Sequence, residues 1–442
     1  MAITKQLVSK NINAVPAQYV GKDGELWVDP VNNLMKIGDG VTPGGVVITT
    51  DGAGGGGGGA TTWADITDIN NISGPTSVVI GQSAGGAGLS TVAIGTQAGQ
   101  TTQGSSAVAI GQYAGLNTQG IKAVAVGTSA GTTNQGSSAV AIGNSAAYGG
   151  QGDSAVALGF EAGKNTQGLA AVAVGNNTGA IYQGASSVAI GSSAGVNRQD
   201  TKAVSIGINA GENRQGSQSI AIGDYAARGE TETVTYTSGG NGGTNLVVDV
   251  TTGLAVGMYV QDAGYGHDAD ITITAIIDLY TITMSADWTS PPGATLTFIT
   301  GQSASSIAIG ASAGRVLQGT QSVAIGKEAG KTTQSEKSVA IGPFAGMATQ
   351  GDRAVAIGHN AGKENQGDKA VAIGTNAGAT DQAANSIVIN ATGLAVENVQ
   401  PDSFVVQPVR NFSNAAALPT GFKQVAYNPT TGEFVYYGVA GT

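Results

Sequence analysis

The sequence is short of most groups that carry chemistry. None of its 442 residues is cysteine, which excludes disulfide bonds, thiolate metal sites and cysteine nucleophiles. The only histidines are His267 and His359, and charged residues make up 11% of the chain. The formal net charge of −10 opposes binding to nucleic acid phosphates or to an anionic membrane surface. We expect no nucleic acid partner, no membrane insertion and no cofactor.

Long apolar segments are also missing. No apolar run reaches the length of a membrane-spanning helix, and the first residues lack the apolar stretch of a signal peptide. The last residues contain no strands long enough for a membrane barrel. These absences argue against an exported surface protein with a membrane anchor.

The dominant feature that is present is an internal repeat between Ser77 and Asn390. Its commonest form is Ala-Val-Ala-Ile-Gly, and it returns every sixteen residues, with a closing glycine at positions 95, 111, 127, 143, 159, 175, 191, 207, 223, 310, 326, 342, 358 and 374. A unit this short cannot bury a hydrophobic face alone, so neighbouring units must stack. Because helical solenoids need longer repeats, the period predicts an all-β fold, a parallel β-solenoid of sixteen-residue coils.

Strand alternation places the Val and Ile of each phrase on one face and the alanine between them on the other. The simplest interpretation puts the aliphatic column inside the coil; it includes Val92/Ile94, Val140/Ile142, Val188/Ile190, Val323/Ile325 and Val371/Ile373. The alanines then form an exposed strip of methyl groups, which favours covering by further copies of the chain. The opposite arrangement, with alanine filling a tight interior, stays open.

A glutamine follows the first glycine of each unit by eight residues. Stacked coils repeat at about 4.8 Å, which brings identical amides within hydrogen-bonding reach. The sequence therefore predicts a ladder of Gln103, Gln119, Gln135, Gln151, Gln167, Gln183, Gln199, Gln215, Gln318, Gln334, Gln350, Gln366 and Gln382. The glycines of each unit, such as Gly111 and Gly115, are predicted to form the corners.

The phrase Ser-Val-Ala-Ile-Gly at 187–191 and 338–342, followed by a small-residue corner, resembles the repeats in the head domains of trimeric autotransporter adhesins and of related phage fibres. The resemblance covers residues 77–390. It implies a left-handed β-roll packed as a homotrimer. The period here is longer than the usual one, which leaves the corner geometry open.

Residues 1–50 are predicted to form a separate small β module. Two strands and the turn Ile-Gly-Asp-Gly resemble the N-terminal domains of phage tail-fibre and receptor-binding proteins. The resemblance implies a trimeric module that attaches to virion tail or baseplate proteins, and an ordinary β-hairpin is the alternative. The residues that carry the match are Trp27, Asp29, Gly38, Asp39 and Gly40.

An insert interrupts the repeat between Gly223 and Gly310. Because Gln302 keeps the phase of the array, we expect the insert to leave and re-enter near Gly229 and Gly301. Six alternating runs predict an antiparallel barrel or sandwich: 232–237, 245–250, 258–261, 271–276, 280–284 and 295–299. The predicted organisation is thus a Gly-rich linker and cap at 51–76, β-roll at 77–229 and 302–390, an insert at 230–301, and a C-terminal cap or trimerisation region at 391–442.

The insert carries the candidate sites. Its aromatic residues are candidates for stacking on sugars or for packing in its own core; they are Tyr259, Tyr265, Tyr280 and Trp288. A polar cluster is a weak candidate for binding a metal or for hydrolysing glycans, with a solvated loop as the alternative; it contains Asp262, His267, Asp268 and Asp270. Four cations at variable positions of the repeat are predicted to be solvated: Lys164, Arg198, Arg214 and Lys363.

Taken together, the repeats and the resemblances predict a non-enzymatic structural protein of a phage tail fibre. Such a protein would be made in the host cytoplasm and carried on the virion, and it would present a trimeric β-roll and the insert to a host-surface glycan or protein. A bacterial trimeric adhesin is the first alternative, and the missing export signal and anchor argue against it. A collar or neck fibre stays open, and the few carboxylates of the roll argue against a polysaccharide depolymerase.

Overall fold

The computed structural model describes residues 26–29, 34–37, 46–47, 77–85, 88–239, 243–249, 251, 254–256, 258–261, 271–278, 281–288, 295–409, 424–428 and 433–437. The chain divides into two units, residues 1–70 and 71–442. In the first unit the described residues form one antiparallel sheet of three strands, Leu26–Asp29, Leu34–Ile37 and Val46–Val47.

The second unit contains the predicted parallel β-solenoid. One short strand per coil pairs in register with the same strand of the next coil, so that Val108, Ala109 and Ile110 lie beside Val124, Ala125 and Val126. The described residues contain 17 such strands, which form sheet 1. They are Val78–Ile80, Val92–Ile94, Val108–Ile110, Val124–Val126, Val140–Ile142, Val156–Leu158, Val172–Val174, Val188–Ile190, Val204–Ile206, Ile220–Ile222, Ile307–Ile309, Val323–Ile325, Val339–Ile341, Val355–Ile357, Val371–Ile373, Ile387–Asn390 and Phe404–Gln407.

The opposite side of each coil forms sheet 2, which runs through the glutamine column. Its strands are Thr102–Gln103, Thr118–Gln119, Asn197–Gln199, Asn213–Gln215, Val316–Gln318, Thr332–Gln334, Ala348–Gln350 and Glu364–Gln366. Between them, Gln135, Gln151, Gln167, Gln183 and Gln302 continue the column through single parallel bridges. At the corner that leads from sheet 1 to sheet 2, Gly111 has a φ of 126°, which requires glycine, and Gly115 has a φ of 56°, which favours it.

The interpretation that placed the valines and isoleucines of sheet 1 inside the coil was wrong. The alternative, in which alanine fills the interior, is the arrangement observed. Ala189 is fully buried, whereas its neighbour Ile190 is 38% exposed. The same holds along the sheet, where the central alanines point inward and the flanking aliphatic residues point outward. Alanine methyls therefore make up most of the solenoid interior.

The width of the coil explains this reversal. The side chain of Gln119 crosses the interior from sheet 2, and its Nε2 donates to the carbonyl oxygen of Val108 in sheet 1 at 2.7 Å. A Cβ at Gly115 would lie 3.0 Å from the Gln119 carboxamide. The space between the sheets is thus filled by one carboxamide and small side chains, and a β-branched residue in place of Ala109 would not fit.

The insert forms a closed antiparallel barrel. Its described residues form six strands: Thr231–Gly239, Gly243–Val248, Tyr259–Gln261, Ile273–Ile276, Thr281–Trp288 and Thr295–Ile299. They form one sheet, and a bridge between Tyr259 and Thr272 joins the two edge strands. Buried aliphatic and aromatic side chains, including Leu246, Ile282 and Phe298, fill the centre. We call residues 230–300 the lateral domain.

The parallel sheet runs beyond the predicted end of the roll. Strand Phe404–Gln407 pairs in parallel with Ile387–Asn390, after the boundary expected at residue 391. The last described residues form an antiparallel hairpin of Gln424–Asn428 and Glu433–Tyr437. The ring of Phe404 lies 5.9 Å from that of Phe434, centroid to centroid, which brings the hairpin against the last strand of sheet 1.

Enlarging an interior alanine should destabilise the solenoid. Ala189→Leu adds three carbons where the side chain is fully buried, and we expect a loss of about 1–3 kcal/mol, measured as a lower midpoint of urea unfolding. Ser192→Leu is the matched control in the same coil, because Ser192 is exposed at the corner. Equal effects of the two substitutions would contradict the tightly filled interior.

Candidate functional site

The glutamine column forms a hydrogen-bonded ladder inside the solenoid, as the sequence predicts, except that Gln103 does not join it, because Gln119 Oε1 has no donor in the described structure. Each Nε2 donates to the Oε1 of the next glutamine at 3.0–3.2 Å in two long runs, from Gln119 to Gln302 and from Gln318 to Gln382. Each Nε2 also donates to a carbonyl oxygen of sheet 1 at 2.7–3.0 Å. Because all amides point the same way, the bonds of a run polarise one another.

The ladder passes through the insertion without a gap. Gln215 donates to Gln302 at 3.2 Å although the two residues are 87 positions apart, and Ile220 pairs with Ile307 in sheet 1. Gln302 is therefore a ladder residue that the sequence analysis placed in phase but did not include in the ladder. Three buried ladder oxygens have no donor within the described structure, namely Oε1 of Gln103, Gln119 and Gln318.

The outward residues of sheet 1 form a continuous apolar surface, which we call the aliphatic face. It consists of the first and third residues of the sheet 1 strands. At the third position Ile190, Ile309 and Ile373 are 36–39% exposed. Ile222 and Ile309 are register partners across the insertion, so the lateral domain does not interrupt the face.

The lateral domain is attached to three consecutive coils. Glu230 and Thr300 pair at its base, where the Thr300 N–H donates to the Glu230 carbonyl at 2.8 Å. Glu230 also forms a 3.0 Å ion pair with Arg315 of the following coil. On the other side, the guanidinium of Arg214 lies 3.6 Å from the ring centroid of Tyr259, a cation–π contact. These contacts fix the base of the domain on the solenoid.

Arg214 corrects one expectation from the sequence. It was predicted to be solvated, but it is 6% exposed and lies beneath Tyr259. The other three cations are partly exposed and each pairs with an acid: Lys164 with Glu161, Arg198 with Asp200 and Lys363 with Glu364. No local pattern marks Arg214, because its partner lies in the inserted domain.

A second ion pair supports the coil that carries the insertion. Arg228 Nε donates to Glu212 Oε2 at 2.7 Å, one coil earlier. This hydrogen bond, together with the nearby acidic charges, raises the pKa of Arg228. The pair lies next to Gly229, where the chain leaves the solenoid, and so ties the departing segment to the preceding coil.

The predicted binding residues are distributed as follows. Tyr259 is half-buried at the base of the lateral domain, and one face of its ring is covered by Arg214. Trp288 ends a barrel strand and pairs with Gly243. In the first unit, Trp27 and Asp29 lie in strand Leu26–Asp29. The remaining candidates lie outside the described residues: Gly38, Asp39, Gly40, Asp262, Tyr265, His267, Asp268, Asp270 and Tyr280.

The described residues contain no group of three or more potential metal ligands, and no helix among them is long and apolar enough to span a membrane. Comparisons of the chain with protein-family models, curated proteins and solved structures give no match. We therefore infer function from two extended features, the aliphatic face and the lateral domain.

A charge in the ladder should destabilise the solenoid in a pH-dependent way. Gln167 is 2% exposed, and its Nε2 donates to Val156 and Gln183, so the carboxylate of Gln167→Glu would face two acceptor oxygens. We expect a loss of about 3 kcal/mol or more at neutral pH, measured by urea unfolding.

The pH profile separates the charge effect from a packing effect. Burial raises the pKa of the introduced carboxyl in the folded state, so the penalty is absent below its unfolded pKa of about 4.3 and grows as the pH rises above it. Gln112→Glu, at an exposed corner, is the control and should change stability little at any pH. A pH-independent loss in Gln167→Glu would contradict a hydrogen-bonded ladder.

Proposed function

We propose that the chain is a non-enzymatic structural component of a phage tail fibre, that it self-associates through the aliphatic face, and that it presents the lateral domain to a host surface. The observation that best supports this proposal is the continuous exposure of aliphatic side chains along sheet 1. The resemblance of the repeats and of the N-terminal module to phage fibres supports the setting, in which the N-terminal module binds the virion.

The size of the aliphatic face supports self-association. At about 4.8 Å per strand and about 3.3 Å per residue, 17 strands of three residues cover a strip about 80 Å long and 10 Å wide, or about 800 Å². The largest apolar patch of a typical monomer is about 300–600 Å², and a standard interface buries about 800 Å² per partner. An exposed strip of this size fits an interface better than a free surface.

A second copy of the same chain is the partner that this strip fits best. The strip repeats at one interval, so an identical strip has the same spacing of side chains along its whole length. Rotation about an axis parallel to the solenoid brings the strips of all copies together and closes the assembly. The resemblance to trimeric fibres gives the number of copies as three.

The lateral domain is the element proposed to meet the host. It is attached at a corner of the coil between Gly229 and Gly301, whereas the aliphatic face belongs to the strands of sheet 1. Several copies on one fibre would raise the avidity of a weak interaction with a glycan or protein. Inserted domains can vary while the scaffold stays constant, a common arrangement for recognition.

The oligomeric state tests self-association. One chain has a mass of 43.3 kDa, so light scattering coupled to size exclusion should give about 130 kDa for a closed trimer. The double variant Ile190→Glu and Ile309→Glu places charges on the aliphatic face and should shift the mass towards one chain. Ser192→Glu, at an exposed corner, should leave the mass unchanged. A monomeric parent protein would contradict self-association through the aliphatic face.

Host recognition is tested by removing the lateral domain. Labelled parent protein should bind cells of a susceptible strain in a panel of bacteria, including capsulated ones. The variant that joins Gly229 directly to Gly301 should lose this binding while keeping the parent's oligomeric state. Unchanged binding would assign recognition to another part of the chain, and a parent that binds no strain would contradict a host-surface role.

A further inference from the structure

Two coils share a sequence that no other coil has. Residues 146–151 read Ala-Ala-Tyr-Gly-Gly-Gln, and residues 226–229 followed by 301–302 read Ala-Ala-Arg-Gly and Gly-Gln. The second is the coil that carries the lateral domain. If residues 230–300 were removed, the second sequence would match the first at every position except the one after the two alanines, where Arg228 corresponds to Tyr148. The removal would also restore the sixteen-residue period.

The two corners also share their backbone structure up to the residue at which the lateral domain departs. Ala147 and Ala227 replace the usual corner glycine, both are fully buried, and their φ angles are 49° and 47°. The N–H of Gly149 and that of Gly229 donate to the carbonyl at the same place in the following coil, at 2.6 and 2.8 Å. The solenoid is therefore built in the same way whether the corner is closed or carries a domain.

The ladder enters both corners in the same way. The N–H of Gln151 donates to the Asn134 carbonyl at 3.1 Å, and that of Gln302 donates to the Arg214 carbonyl at 3.1 Å. The side-chain bonds into these two glutamines, from Gln135 and from Gln215, are both 3.2 Å long. The corners differ in the next bond, because Gln151 donates to Gln167 at 3.0 Å, whereas the ladder breaks between Gln302 and Gln318.

Glycine explains why this corner can open. Gly229 has a φ of 72°, whereas its counterpart Gly149 has no positive φ. Opening the corner therefore moves this residue into the left-handed region, which glycine enters freely and a β-branched residue enters only at a cost in free energy. In the coil of Gln103 the same two places are taken by Thr101 and Thr102.

The lateral domain fits such a corner because its ends lie side by side. Its first and last strands pair from Thr231 with Ile299 onward, and Glu230 and Thr300 exchange hydrogen bonds at the base. A domain with neighbouring ends can replace one peptide bond of the corner without forcing the coil apart.

We infer that the Gly149–Gly150 corner is a second acceptor site for a lateral domain, and that residues 230–300 are a transferable module that this site can take. The acceptor sequence is Ala-Ala-x-Gly-Gly-Gln. The consequence for binding, two recognition domains per chain instead of one, rests on the proposed function; the acceptor site itself does not.

There is room for both domains. The corners are five coils apart, which at about 4.8 Å per coil separates them by about 24 Å along the solenoid. Opposite walls of a small barrel lie about 10 Å apart, and one layer of side chains outside each wall makes the barrel about 20 Å across. Two copies can therefore stand next to each other on the same fibre.

The test is a full-length chain with a second copy of residues 230–300 inserted between Gly149 and Gly150. We expect it to keep the parent's oligomeric state and melting temperature, and to show a second lateral projection by electron microscopy, about 24 Å from the first. The matched control carries the same insertion between Thr101 and Thr102. We expect this control to melt at a lower temperature or to aggregate.

Each outcome decides the inference. A graft at Gly149 that misfolds, while the variant joining Gly229 to Gly301 folds normally, would show that the corner closes but does not accept a domain, and would overturn the inference. Equal tolerance of both grafts would also overturn it, because the acceptor sequence would then have no role. These readouts concern folding and shape, so a failure of host binding leaves them unaffected.

Discussion

The solenoid depends on one hydrogen bond that is repeated in each coil with a ladder glutamine, from the glutamine Nε2 of sheet 2 to a carbonyl oxygen of sheet 1. This bond holds the two sheets at the length of one glutamine side chain. At that spacing most interior positions of sheet 1 and its corners hold alanine. The aliphatic residues are therefore turned outward, and the surface that we propose for self-association follows from the narrow interior.

Much of this architecture could be predicted from the sequence, because it is periodic. The interval of sixteen residues gives the stacked coils, and a glutamine at a fixed place in each coil gives the ladder. The barrel strands were also predictable from alternation and turn residues; the run at 295–299 matches strand Thr295–Ile299. Strand Thr231–Gly239 is longer than expected because it pairs with a strand on each side.

The orientation of sheet 1 could not be predicted in the same way. Alternation shows that Val188 and Ile190 share a face opposite Ala189, but it does not show which face is inside. That choice depends on the width of the coil, which the crossing glutamine sets. The contact of Arg214 with Tyr259 was missed for a related reason, since it joins segments that only the complete fold brings together.

The pairing of sheet 1 also bears on how such a chain can change in length. Among the described residues, the first strand, Val78–Ile80, and the last, Phe404–Gln407, each pair with one neighbour, and every strand between them pairs on both sides. An open sheet built this way has two unpaired edges, whether it has five strands or fifty. Duplication or loss of whole units would therefore alter the reach of the fibre without adding an edge prone to aggregation.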